Sequence, residues 1–202
     1  MQHMHETMLQ FSFFSFTLCF FFLIIISHGR SSISTISATP NDLINQTCKT
    51  CSGRSTVLKY NFCSASLEAI PVSHATNLQG LALVAMELAL ENATHTVISI
   101  MNLLKNGTSF DHFELASLKD CLELYWDAVL SIADSIEAFL SENNEIAEMG
   151  MFGSMEAAAT CEEGFLEKKV EVHPLTKENY NLLQLCDIAL CIIRLLVNGL
   201  IM

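Results

Sequence analysis

Basic residues are scarce in this chain. Ten Lys and Arg stand against 22 Asp and Glu, a net charge of −12. Such a surface repels phosphate backbones and anionic membranes, so nucleic acid is excluded as a natural partner. Period-two alternation is almost absent as well, which removes the pattern of a half-buried sheet. No internal repeat or true low-complexity tract appears. Catalytic and metal constellations are missing too. His74, His95, His112 and His173 are scattered without a spacing that sets two on one helix face, and surface or capping roles are expected for each. Glu142, Glu145 and Glu148, and the pair Glu162 and Glu163, read as solvated helix faces. The chain is therefore expected to be no enzyme and to hold no metal or cofactor.

What is present falls into two unlike parts. Leu9 to Ile26 carries no charge and holds seven of the thirteen Phe residues. A cleaved signal peptide is favoured over a membrane anchor, because the run is at the lower edge of the roughly 20 residues that span a bilayer. Ser27 and Gly29 supply small residues for a cut before Arg30, although the start of the segment has His3 and His5 in place of Lys or Arg. Residues 1–29 are assigned to the signal, 30–40 to a Ser/Thr-rich flexible lead-in and 41–202 to one helical domain. The sequons Asn45-Gln46-Thr47, Asn92-Ala93-Thr94 and Asn106-Gly107-Thr108 agree with a secreted fate.

The domain reads as all-α. Asp42 to Cys48 and Phe62 to Ile70 are predicted as short helices around the polar stretch 52–56, an N-terminal hairpin. Long helices follow. The first starts between Ser73 and Asn77 and runs to Lys105, with Gly107 as its stop. In the second, Leu118, Leu122, Tyr125, Val129, Ile132, Ile136 and Phe139 alternate spacings of four and three, one continuous apolar stripe. The third spans Asn144 to about Glu167 despite Gly150, Gly153 and Gly164, each costing about 1 kcal/mol relative to Ala. The fourth follows Pro174, with Thr176 as N-cap and Gly199 as stop. Asp187 and Arg194 interrupt its apolar run, so it is expected to be a buried helix and not a membrane span. Four long helices with short connections predict an up-down four-helix bundle.

With Cys19 in the signal, seven cysteines remain: Cys48, Cys51, Cys63, Cys121, Cys161, Cys186 and Cys191. An odd number leaves at least one unpaired thiol or an intermolecular bond. Cys186 and Cys191 cannot bridge each other, since five residues along one helix hold their Cα atoms more than about 7 Å apart. Both are expected to be small buried core residues. Cys51 forms a C-x-x-C with Cys48, open to reading as a redox or zinc half-motif or, more plainly, as a free or mispaired surface thiol.

The segments around these cysteines carry a resemblance: Thr47-Cys48-Lys49, Tyr60-Asn61-Phe62-Cys63, Leu78-Gln79-Gly80-Leu81-Ala82, Asp120-Cys121-Leu122-Glu123-Leu124-Tyr125, Thr160-Cys161-Glu162-Glu163-Gly164-Phe165 and Pro174-Leu175-Thr176-Lys177-Glu178-Asn179. In that order and spacing they resemble the plant invertase and pectin methylesterase inhibitor family over nearly all of Asp42 to Val197. The interval from Cys48 to Cys63 resembles its pollen-type members in particular. The resemblance implies a bundle with an N-terminal helical hairpin, a disulfide from Cys48 to Cys63 closing that hairpin, and a second from Cys121 to Cys161 stapling two bundle helices.

It also implies a function, occlusion of another protein's active-site cleft by a rigid secreted bundle acting in the cell wall or apoplast. The segment from Ala147 to Ser154 resembles the invertase-inhibiting branch, in which a Pro-Lys-Phe triplet just before it enters the acidic enzyme site. Asn144, Glu145 and Ile146 stand at those positions here. Glu145 would set like charge against catalytic carboxylates, so pectin methylesterase is slightly favoured over acid invertase as the protein partner. The alternatives are a secreted protein of the same fold without inhibition, and a thiol-active protein using Cys48 and Cys51.

Overall fold

Apolar residues spaced four and three apart give each helix one sticky stripe, and four such stripes are satisfied by facing one another. A computed structural model describes residues 40–106, 110–166 and 173–199. Among the described residues there are six α-helices: α1 Pro40–Ser52, α2 Tyr60–Glu68, α3 Leu78–Lys105, α4 His112–Leu140, α5 Asn144–Leu166 and α6 Thr176–Asn198. A 3-10 turn, Pro71–Ala75, leads from α2 into α3. Among the described residues there is no strand. The signal segment, most of the lead-in, Gly107 and Glu167 lie outside the described residues.

Each long helix packs on the next, and α6 closes the ring against α3. Cys121 near the start of α4 is bonded to Cys161 near the end of α5, while Arg194 near the end of α6 reaches Glu148 near the start of α5 at 2.6 Å. Neighbours are therefore antiparallel, the up-down arrangement. Leu81, Met86, Ile100, Leu118, Tyr125, Ile132, Met151, Phe165 and Leu182 fill the centre with no exposed surface. Helix α6, the stretch apolar enough to suggest a membrane, packs Leu185, Ile188, Ile192 and Ile193 into this core.

Capping fixes the ends. The Asn77 side chain accepts from Gly80 N at 3.0 Å to begin α3, and Asp111 and Glu114 form a reciprocal capping box at the start of α4. At the end of α6, Gly199 takes φ 59°, where an L side chain is disfavoured. Thr176 is not the N-cap expected of it. That position falls to Leu175, which makes no side-chain cap, while Thr176 Oγ1 accepts from His173 N at 3.4 Å. A histidine–carboxylate cluster, described below, fixes this entry instead.

Candidate protein-docking site

The cysteines set the frame. Cys48 is bonded to Cys63 within the hairpin, and Cys121 to Cys161 between α4 and α5. A third bridge joins Cys51 to Cys191, 140 residues apart, and corrects two expectations. Cys51 is no loose surface thiol but is buried and bonded, and Cys191 is no free core residue. Among the described cysteines, Cys186 is the one that stays free and buried. The two cysteines of α6 point about 140° apart around the helix, so one enters the core and the other faces the hairpin. With both partners committed elsewhere, the C-x-x-C of α1 is neither a redox pair nor half a zinc site. Among the described residues no three His, Cys, Asp or Glu side chains gather to hold a metal.

The hairpin is seated by one stripe of α6. Gln184 Oε1 accepts from Lys59 N at 2.9 Å, the Asp187 carboxylate accepts from Ser55 Oγ, and Cys191 takes Cys51. Positions 184, 187 and 191 share a helix face. Three non-aliphatic residues at that spacing, within the mostly aliphatic run from Leu182 to Ile193, were a sequence signal for a partner element.

His173 departs from its expected surface role. Its side chain is buried and stacks on Phe165, with ring centroids 4.0 Å apart. Nδ1 accepts from Leu175 N at 3.3 Å, which leaves the proton of a neutral ring on Nε2. Nε2 stands 2.9 Å from Glu162 Oε2, off the line of a good hydrogen bond. Glu162 is thus no solvated face: it also accepts from Asn179 Nδ2 at 2.8 Å, and Asn179 Oδ1 accepts from Tyr125 Oη at 2.7 Å. The chain of polar groups ties α4, α5 and α6 together near one end of the bundle. Burial pushes the Tyr125 phenol far above its ordinary range, with Cys186 adding to the shift, and burial followed by Asp187 does the same to the Cys186 thiol. These groups are braces, not reagents at neutral pH.

At the other end, the connection Ser141–Asn143 turns α4 back into α5, with Glu142 at φ 60°. Asn144, Glu145 and Ile146 open α5 there. Glu145 and Ile146 are exposed and Asn144 is half-buried. Leu140, Met149 and Phe152 nearby are exposed too. The outer face of α4 continues this surface with Trp126, Leu130 and Ala133, spaced to fall on one stripe, and with Glu123, Asp127, Asp134 and Glu137. Among the described residues the close contacts between basic and acidic side chains are His173–Glu162 and Arg194–Glu148, so none of these four carboxylates is paired. Such a surface has apolar anchors inside an acidic surround, suited to a protein partner of opposite charge.

The sequons lie elsewhere. Asn45 is exposed on α1, where its Oδ1 accepts from Tyr60 Oη at 2.8 Å and leaves Nδ2 uncommitted. Asn92 is half-buried on α3, and Asn106 is exposed just past the end of that helix. All three map to the hairpin and α3, and none to α4, α5 or α6.

The fold and this surface define a disulfide-braced helical bundle with an exposed apolar and acidic face on its α4–α5 side. The family model described as plant invertase/pectin methylesterase inhibitor matches residues 42–192, and the chain belongs to that family, whose members are inhibitors and not enzymes. Proteins named "Putative invertase inhibitor" from Platanus acerifolia and Platanus orientalis are each 37% identical to it over 182 residues, spanning 90% of this chain and 97% of theirs. The "Cell wall / vacuolar inhibitor of fructosidase 2" of Arabidopsis thaliana is 25% identical over 184 residues, spanning 90% of this chain and 98% of its own. A crystal structure of a mutant form of a pectin methylesterase inhibitor from Arabidopsis superposes with a TM-score of 0.62 at 20% identity, covering 74% of this chain and 95% of that one, which establishes the shared fold.

Proposed function

We propose that this chain is a secreted inhibitor that blocks the active-site cleft of a plant cell-wall carbohydrate enzyme by docking the α4–α5 side of its bundle. Family membership is the observation that carries the reading, and the geometry supports it. The apolar stripe of Trp126, Leu130 and Ala133 and the exposed tip at Asn144, Glu145 and Ile146 lie on two helices joined by a buried disulfide. A surface held rigid in advance loses little conformational freedom on binding. Residues 1–29 act as a cleaved signal, 30–40 as a lead-in and 41–202 as the inhibitory domain. Glycans at Asn45, Asn92 and Asn106 would leave the α4–α5 side bare.

Pectin methylesterase is the target this surface suits better. Glu145 and the unpaired carboxylates of α4 complement a basic enzyme and would be repelled by an acidic invertase site. Acid invertase is the second reading, favoured by the names of the Platanus relatives. Titrating the mature protein against both enzymes at about pH 5 to 6 decides between them. Pectin methylesterase inhibition weakening with added salt is expected. Inhibition of invertase alone would transfer the assignment to that enzyme. No effect on either at micromolar protein would sink the inhibitor reading and leave a protein of this fold without inhibitory activity.

A further inference from the structure

We propose that the Cys51–Cys191 bond is a reducible clasp, through which a dithiol reductant detaches the α1–α2 hairpin while the four-helix bundle stays folded. The inference goes beyond the inhibitory role and does not depend on it. Of the six bonded cysteines, Cys48, Cys51, Cys63, Cys121 and Cys161 are between 0% and 2% exposed, and Cys191 alone retains appreciable contact with solvent. A thiolate approaching from solvent therefore meets this bridge first.

The hairpin is poorly equipped to hold its place without the clasp. Its fully buried apolar side chains are Ile44, Cys48, Cys51, Leu58, Cys63 and Leu67, half of them cysteines, with Leu43 and Phe62 packed partly buried beside them. Beyond the bridge and this small apolar contact, its polar attachments to α6 are Ser55 to Asp187 and Lys59 N to Gln184, and water competes for both kinds of group. The bundle, by contrast, is closed by its own long apolar stripes and by Cys121–Cys161. Cys48–Cys63 is internal to the hairpin and would keep the released piece folded back on itself.

In the chemical step, a reductant thiolate attacks Cys191 Sγ and the bond to Cys51 breaks. Cys51 leaves as a thiolate and takes up a proton. The reductant's second thiolate then attacks the mixed disulfide, releasing Cys191 and closing the reductant's own disulfide, so two electrons pass from the dithiol to the clasp.

The experiment exposes the native mature protein to graded dithiothreitol at pH 8 without denaturant, quenches with N-ethylmaleimide and maps labelled peptides, with hydrogen exchange on the same samples. Cys51 and Cys191 should be labelled at least about tenfold faster than the other four bonded cysteines, following access to the attacked sulfur. At that stage residues 43–68 should lose amide protection while α3 to α6 keep theirs. The double variant Cys51→Ser/Cys191→Ser, never reduced, should show the same pattern. Another bridge opening first, all three opening together, or full protection of the hairpin after the clasp is cut would each overturn the proposal.

Discussion

Two glycines three residues apart in α5 should respond to alanine with opposite sign. At Gly150 an added methyl would stand 2.1 Å from Ser135 Oγ, 2.9 Å from Ser131 O and 3.1 Å from Ser131 Oγ, because α5 lies close against α4 there. Ser135 Oγ donates to Ser131 O at 2.7 Å, and moving it aside forfeits a hydrogen bond worth about 1 kcal/mol. Ser131 O is backbone and cannot rotate away, so the helices must part, an overpacking cost of about 1–3 kcal/mol. Against this, Ala returns about 1 kcal/mol of helix propensity. Gly150→Ala should therefore destabilise by about 1–3 kcal/mol. Gly153 has nothing within 4 Å of the same added atom, so Gly153→Ala should gain about 1 kcal/mol and raise Tm by about 2–4 °C. Urea unfolding of both variants with all disulfides intact measures the difference, expected to be about 2–4 kcal/mol. A Gly150→Ala protein as stable as wild type would refute the close approach of α4 and α5. Adding Ser135→Ala to it should recover part of the loss, since the nearest clashing atom is then gone.

Alkaline pH should weaken the fold through Tyr125 and Cys186. Both acids have raised pKa values in the folded protein, so their stabilisation is full below the unfolded values of about 8.5 for Cys and 10 for Tyr and is lost as pH rises beyond them. Unfolding free energy should stay level on this account up to about pH 8 and then fall, and a curve level to pH 11 would contradict the burial of both groups. Thiol labelling of the native mature chain at pH 8 should find no reactive cysteine, and one, Cys186, after denaturation without reductant. Tyr125→Phe strands the buried Asn179 Oδ1 and should cost about 1–3 kcal/mol in denaturant unfolding, and a loss below about 0.3 kcal/mol would remove the polar chain from the account of stability. If a basic pectin methylesterase is the target, Glu145→Lys should slow association several-fold and flatten its salt dependence, read by stopped-flow or biosensor kinetics, and an unchanged on-rate would take Glu145 out of the contact.

The parts of this molecule legible in its sequence were those governed by local periodicity. The four-three spacing from Leu118 to Phe139 fixed α4 as a buried stripe, and Gly199 marked the end of α6 because a left-handed residue suits glycine. What was not legible depended on how the helices pack on one another. Phe165 and Glu162 lie within 11 residues of His173, yet no local pattern announces a ring stacked on one against the other, since that needs the start of α6 set against the end of α5. The same holds for Cys51, whose partner is 140 residues away. An odd number of cysteines requires an unpaired thiol but does not distinguish Cys186 from Cys191. The choice needed the helical angle of α6 relative to the hairpin, and the stripe of Gln184, Asp187 and Cys191 carried that angle. At the docking surface, the exposure of Glu145 followed from its place in the opening turn of α5, whereas the unpaired state of the α4 carboxylates could be read only from three dimensions.

The positions of the covalent bonds bear on how the proposed docking surface would work. Cys121–Cys161 pins α4 to α5 at the end far from the Ser141–Asn143 turn, so a two-helix hairpin closed by a three-residue turn at one end is closed by a bond at the other. Between these ends, Ser131, Ser135, Gly150 and Ser154 let the backbones approach closely. Ser131 Oγ donates to Gly150 O at 3.1 Å and Ser154 Oγ to Ala128 O at 3.4 Å. Hydrogen bonds from side chain to facing backbone resist sliding of one helix along the other, which apolar contact alone permits. The side chains of Trp126, Leu130 and Ile146 therefore project from a frame fixed at both ends and keyed in the middle. Each side chain immobilised on binding costs about 0.5–1.5 kcal/mol, so a frame that cannot shift confines that cost to the side chains themselves. The other two bridges leave this frame untouched, which is why a change confined to the hairpin should alter exchange in residues 43–68 without reshaping the α4–α5 side.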